Sequence, residues 1–277
     1  LNRIQDPYSI PPGSKLRIPI AWTQQNEGEV YAHVVAVHGT VTVRRVNTTK
    51  DLAVTHDMRL SQGDEIRSEN DAFVTVEFAD GSRMRVQDNS HVSLSQMKVF
   101  GDFGLVDTLI ELKQGRTENA VPTEPDVGTR FRIKTPSAIS SVSGTEFRVG
   151  TLDEGASTSS EVLEGVVQVS GENRAVRVPA GFGSMTTVGV PPLSPITLLP
   201  APDLSETPTF YERLPLIITL NPLPGAKAYR AQIAIDHEFE NLWADFVTAS
   251  LPFRDGDIPD GDYWLRIRGI DDLGIEG

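Results

Sequence analysis

Between Val30 and Gly189 apolar and polar residues alternate, in runs such as VYAHVVAVHGTVTVRR, AFVTVEFADGSRMRV and AVRVPAGFGSMTTV. Side chains two positions apart share one face of a strand, so this pattern predicts a series of strands, each with a single buried face. The breaks between runs are ADGS, SGEN and PAGFG, which put Gly or Asp where the backbone must turn. FADGSRM carries the Asp-Gly signal of a hairpin. No convincing stripe of period 3.6 competes with this reading. Three strand–turn units, VVAVHGTVTV, LIELKQGRTEN and SEVLEGVVQVSG, look alike. Such a degenerate repeat fits a coiled, solenoid-like all-β body, and its uneven spacing leaves a sandwich equally open.

The alternation stops at VGVPPLSPITLLPAPDLSETPTF, whose prolines predict a semi-extended linker over 190–207. Strands resume over 208–277 with LIITL, AYRAQIAI, WADFVTA and YWLRIRGID. In the last of these Tyr263, Leu265, Ile267 and Gly269 face one way, and Trp264 alternates onto the other side. Trp264 is therefore a candidate binding surface, or a residue that packs on a neighbouring domain. The formal net charge is −13, with fourteen acids against six bases from Pro191 onward. That balance argues against nucleic acid and against an anionic membrane surface. There is no cysteine, which removes disulfides, thiolate metal sites and a cysteine nucleophile together. No apolar run approaches the roughly 18 residues of a membrane helix, so no membrane insertion is expected. The opening LNRIQDPYSI has neither an initiator Met nor a signal peptide and reads as a mature or trimmed fragment.

Reactive chemistry finds little purchase. In TPSAISSVSGTEFRVG the serines Ser141 and Ser143 lack the elbow, the helix and the nearby His that a nucleophile needs. Gly144 instead permits a bend before a buried Phe147, and Glu146 with Arg148 are expected as an exposed pair worth about 0–1 kcal/mol. His33, His38, His56, His91 and His237 form no metal-ligand spacing. Asp255, Asp257, Asp260 and Asp262 cluster, but without the order of a calcium loop, and read as hairpin chemistry. Glu111, Glu118, Glu146, Glu161 and Glu164 are the carboxylates that a glycan-cleaving enzyme would need across a groove; a solvated outer face is the expected place for them. No catalytic residue, cofactor or metal site is assigned.

Several motifs, in order, resemble the FecR domain family. They are Gly63, Asp64 and Ile66 of GD-x-I; Asp80, Gly81 and Ser82 of DGS; Thr135, Pro136 and Ala138 of TP-x-A; Gly144, Thr145, Glu146 and Phe147 of GTEF; and Glu164, Gly165, Val167 and Val169 of EG-V-x-V. The resemblance implies an all-β, solenoid-like periplasmic domain over 30–189 without enzymatic activity, which in its best-known members relays a signal across the envelope to a sigma factor. Residues 1–25 resemble the second half of a LysM module, through Ile10, Pro12, Gly13, Leu16, Ile18 and Pro19. Residues 208–277 resemble a fibronectin type III-like sandwich, through PGAKAYRAQIA and DGDYWLRIRGIDDLG. Together these resemblances imply a periplasmic binding or scaffold protein, with peptidoglycan or another envelope glycan as partner through LysM. The alternative is a FecR-like signal-relay regulator that engages an envelope protein through edge strands, and a more remote one is a glycan-active enzyme.

Overall fold

The computed structural model describes residues 30–100, 105–122, 130–142 and 144–277. The expected LysM-like segment, 1–25, lies outside the described residues. The chain is all-β. Its first eighteen strands are β1 (Tyr31–His38), β2 (Val41–Arg44), β3 (Asp51–Ala53), β4 (Arg59–Ser61), β5 (Glu65–Ser68), β6 (Phe73–Glu77), β7 (Arg83–Val86), β8 (His91–Phe100), β9 (Leu105–Gln114), β10 (Arg116–Ala120), β11 (Arg130–Lys134), β12 (Ile139–Val142), β13 (Glu146–Leu152), β14 (Ser157–Glu164), β15 (Val166–Gly171), β16 (Arg174–Pro179), β17 (Phe182–Thr187) and β18 (Ile196–Thr197). They form two nine-stranded sheets. One has the order β18-β17-β14-β13-β10-β7-β6-β1-β4, the other β16-β15-β12-β11-β9-β8-β5-β2-β3. The chain deposits one or two strands in one sheet, crosses, and deposits the next in the other, so the body grows along its length as a solenoid does.

The three look-alike units are corners of this winding. At Gly39, Gly115 and Gly165 the chain leaves one sheet and enters the other, from β1 to β2, β9 to β10 and β14 to β15. Each of these glycines has a positive φ, 67°, 91° and 78°. A Cβ on Gly39 would lie 2.7 Å from the Asp71 carbonyl oxygen, and one on Gly165 would lie 2.5 Å from that of Gly144. Only glycine fits both the angle and the space.

The inward residues of both sheets interleave in one core. Phe131 of β11 meets Phe147 of β13 edge-on at 6.4 Å, and Phe78 meets Phe131 at 5.5 Å. All three are buried, together with Val34, Leu60, Met84, Ile110 and Val149. Burying a large apolar side chain contributes about 1.5–3 kcal/mol, so each turn of the winding adds a few such increments.

The remaining strands are β19 (Leu216–Ile218), β20 (Ala228–Ala234), β21 (Leu242–Thr248), β22 (Phe253–Asp255) and β23 (Trp264–Ile270). They make a two-stranded sheet, β19-β22, and a three-stranded one, β21-β20-β23. A second core of Ile218, Tyr229, Ala231, Phe253 and Ile267 lies between them. The alternation in YWLRIRGI works as expected: Leu265 and Ile267 join this core, leaving Trp264, Arg266 and Arg268 on the other face.

Candidate functional site: a buried charged junction

The strand registers place one residue from each of four neighbouring strands in a straight row on the outer face of the first sheet. Arg85 of β7 stands opposite Glu118 of β10, Glu118 opposite Arg148 of β13, and Arg148 opposite Glu161 of β14. Charges of alternating sign on directly opposed positions attract one another. The row ends at Gly183 of β17, the register partner of Glu161.

This row is not in water. The polar face of β20–β21–β23 lies over it, and the final turn of the chain tucks in beside it. Arg268 Nη1 lies 2.5 Å from Glu118 Oε1, and Arg85 and Arg266 lie 3.7 and 3.8 Å from the other carboxylate oxygen. Arg116 reaches Glu161 at 2.7 Å. Glu276 is the hub. Its carboxylate is 2.9 Å from Arg230, 3.3 Å from Arg116, 3.4 Å from Arg268 and 3.7 Å from Arg148. Arg148 also donates through Nη2 to the backbone oxygens of Glu276, at 2.9 Å, and Gly277, at 3.0 Å. Arg230 binds Asp245 at 2.7 Å, and Gln232 donates to the same carboxylate at 2.8 Å.

Two expectations need correcting here. Arg148, expected as an exposed partner of Glu146, is 1% exposed and pairs with Glu161 and Glu276. Glu118 and Glu161, expected on a solvated outer face, are covered by the C-terminal unit, Glu161 completely. They also do not face each other across a groove, because β13 lies between their strands and arginines hold both. The reason is the same in both cases: alternation tells which face a side chain takes, while the cover on that face comes from residues more than a hundred positions away.

The electrostatics follow from burial. Desolvation pushes the Glu118 carboxyl up, and the charges of Arg268, Arg266, Arg85 and Arg148 more than reverse this, holding it well below the usual carboxylate range. Glu276 is depressed by the same contest, with Arg116 and Arg230 the strongest opposing charges. Burial, followed by the neighbouring Arg268, brings Arg148 and Arg266 down to about 10. Arg230 and Arg268 move the other way: burial lowers them, and the carboxylates they touch raise them further. Every one of these groups is charged at neutral pH.

Beside the ion pairs the junction closes by shape. A Cβ on Gly183 would lie 2.8 Å from the Ile275 side chain, so the bare backbone there is what lets Ile275 seat. Phe73 of β6 packs with Ala234 and Leu242 in a small shared apolar cluster. Trp264, the expected binding surface, is 50% exposed and stands perpendicular to His237 at 4.7 Å. It shares the face of Arg266 and Arg268 but lies at the rim of the junction.

The motif residues hold the frame. Asp64 is buried and accepts from Arg45 and from the Ser61 amide, clamping the turn before β5. Asp80 accepts from the Ser82 amide in the β6–β7 hairpin, where Gly81 has φ 77°. The side chain of Gly63's place is filled by Val46. Thr135 caps its own turn through the Ala138 amide and bonds Thr158, and Pro136 packs on Gly155. Thr145 exchanges two backbone hydrogen bonds with Val121, and Gly165 lets the chain pass Gly144. Gly81, Thr145, Glu146 and Glu164 meet around a shallow hollow of about 320 Å³, and Phe147 points the other way into the core. Among the described residues no group of three or more His, Asp or Glu side chains is placed to hold a metal. No described helix is long and apolar enough to cross a membrane.

The described residues within 30–199 form a two-sheeted β-solenoid body, and this places the chain in the class of all-β folds. Residues 64–168, from β5 into β15, match the family described as FecR protein, and the chain carries a FecR domain there. Two crystal structures of a proposed anti-sigma factor from Parabacteroides distasonis align with the chain at 19% identity, with TM-scores of 0.39 and 0.40. Each alignment covers 48% of this chain and 59% of that one, so the chain spans little more than half of that protein. No curated protein matches the chain. The FecR match overturns the expectation of a peptidoglycan-bound scaffold, because it ties the body to a family whose best-known members relay signals rather than hold the wall.

Proposed function

We propose that the chain is the β-structured part of a FecR-like signal-relay regulator acting on a sigma-factor pathway from the periplasm, and that it does no chemistry of its own. The FecR domain at 64–168 carries this reading. The junction supplies a physical means for it. Buried ion pairs spend much of their attraction on desolvation, so they hold two bodies in one register without the adhesion of an apolar seam of equal area. Removing one partner leaves a buried charge uncompensated, and the whole set is favoured or disfavoured together. A protein that bound the C-terminal unit differently in its docked and undocked arrangements would thereby shift the exposure of the Arg85–Glu118–Arg148–Glu161 row.

The test is transcript profiling of a strain lacking the gene, complemented with the wild-type or Glu276→Gln protein. The expected result is a confined set of genes, sharing one promoter class, that changes on deletion and is restored by the wild type. In the Glu276→Gln strain that set stays in one state whatever the stimulus. An unchanged transcript profile on deletion would overturn the reading.

A further inference from the structure

One flank of the junction stays open. Between the body and β21 lies a cavity of about 340 Å³, walled by His38, Phe73 and Asp88 on one side and by Trp243, Asp245 and Phe246 on the other. Phe73, buried, stacks with His38 at 5.5 Å with their planes 12° apart, and the Arg85 guanidinium lies 5.5 Å from its ring centroid, so this aromatic pair forms a filled body-side wall. Trp243, 37% exposed, supplies part of the facing one. Four carboxylates line the cavity, those of Asp71, Asp88, Asp245 and Asp257, and neither lysine nor arginine does. Asp245 is engaged by Arg230 and Gln232. Asp88 accepts a hydrogen bond from Asn89 at 2.8 Å, and among the described residues it makes no ion pair. Burial pushes its carboxyl up, and the opposing charge of Arg230, already bound to Asp245, does not reverse this.

The shape of the cavity says what kind of molecule brings the cation. Five consecutive residues of β21, Leu242–Phe246, line it. β21 is the edge of its sheet, paired with β20 on one side only among the described residues. An open strand edge accepts an extended chain through its backbone, with alternate side chains entering the pockets beside it. Aromatic faces with a carboxylate close by suit a guanidinium, which stacks as well as it pairs.

We propose that this cleft receives an arginine side chain carried on an extended segment of a partner protein, with the guanidinium against Trp243 and facing Asp88, and the segment's backbone along the free edge of β21. Because walls from both units meet there, such a segment would bind the docked arrangement of the two and hold it. The inference concerns recognition and stands whether or not the protein that binds carries a sigma-factor signal.

The experiment uses the full chain and a capped pentapeptide, acetyl-Thr-Val-Arg-Val-Thr-amide, titrated by calorimetry. The same peptide with citrulline in place of arginine keeps the shape without the charge, and agmatine supplies the guanidinium without a backbone. Expected is saturable binding of the arginine peptide, weakened about tenfold or more by citrulline and by Asp88→Asn. Trp243→Leu weakens it as well, and Glu212→Gln, on an exposed loop, leaves it unchanged. Circular dichroism checks that each variant is folded, and the citrulline arm needs no variant at all. Absence of saturation, equal binding of the citrulline peptide, or unchanged affinity in Asp88→Asn would overturn the site. Agmatine binding as tightly as the peptide would overturn the strand-edge part of the proposal.

Discussion

Glu276 sits among four arginines drawn from both halves of the molecule: Arg116 and Arg148 on the body, Arg230 and Arg268 on the C-terminal unit. A carboxylate so placed cancels repulsion between guanidiniums that burial has already stripped of water. Glu276→Gln keeps the shape and removes the charge. The expected cost is about 3–5 kcal/mol, the range found when one partner of a buried pair is taken away. Chemical denaturation followed by tryptophan emission should show the change, since Trp243 and Trp264 report on the C-terminal unit. Destabilisation of under about 1 kcal/mol would mean that the arginines find other partners and that Glu276 is not the hub. Arg148 teaches the complementary lesson about legibility. Its alternation with Phe147 correctly assigned it to the outer face, but nothing within its own strand signals that this face is covered. The signal was present in WLRIRGI, where Arg266 and Arg268 alternate with a buried face and so form a second charged strip. Two such strips of compatible charge are a reason to ask whether they meet.

At the scale of elements, the corners decide the winding. Gly39, Gly115 and Gly165 each let the chain change sheets where a side chain would strike backbone. Gly165→Ala forces a residue with a Cβ to φ near 78° within 2.5 Å of the Gly144 carbonyl oxygen. The expected loss is at least about 1–3 kcal/mol, the cost of a single strained backbone position, before the clash is added. Thermal unfolding of this variant beside Gly181→Ala separates the two contributions, because Gly181 also has a positive φ but nothing within 4 Å of its Cβ position. Equal losses at both would place the cost in the angle alone and deny the close approach. Much of this level was readable in advance. Period-two alternation located the strands, and the likeness of the three glycine-bearing units pointed to a repeated winding. Pairing order was not readable, because strands adjacent in space, such as β7 and β10, are separated in sequence by strands of the other sheet. Alternation carries no information about which strand lies beside which.

For the whole molecule, the two units answer acid differently. Glu118 and Glu276 are held below the usual carboxylate range by the arginines of the junction. Their folded-state values lie under the ordinary 4.5, so between the two the unfolded or undocked chain binds more protons than the docked one. The stabilisation is therefore complete above about pH 4.5 and drains away as pH falls below it. The body's apolar core of Phe78, Phe131, Phe147 and their aliphatic neighbours has no such dependence, and the body's own depressed carboxylate, Glu65, held at about 2 by Lys113 and His91, sits in a partly exposed pair that contributes less. Small-angle scattering across an acid titration should record an increase in radius of gyration while the far-ultraviolet β signal persists. Loss of both together would show that the junction and the core share one transition.

Glu118 on the body and Arg268 on the C-terminal unit join the two through a buried, direct ion pair, and a double-mutant cycle measures its strength. Stabilities of the wild type, Glu118→Gln, Arg268→Gln and the double variant would be taken from denaturant unfolding read by tryptophan emission. A coupling of about 1–3 kcal/mol is expected, with the double variant far less impaired than the sum of the singles. Additivity within about 0.5 kcal/mol would contradict it, because the two side chains would then be independent and the C-terminal unit would be held to the body by something else.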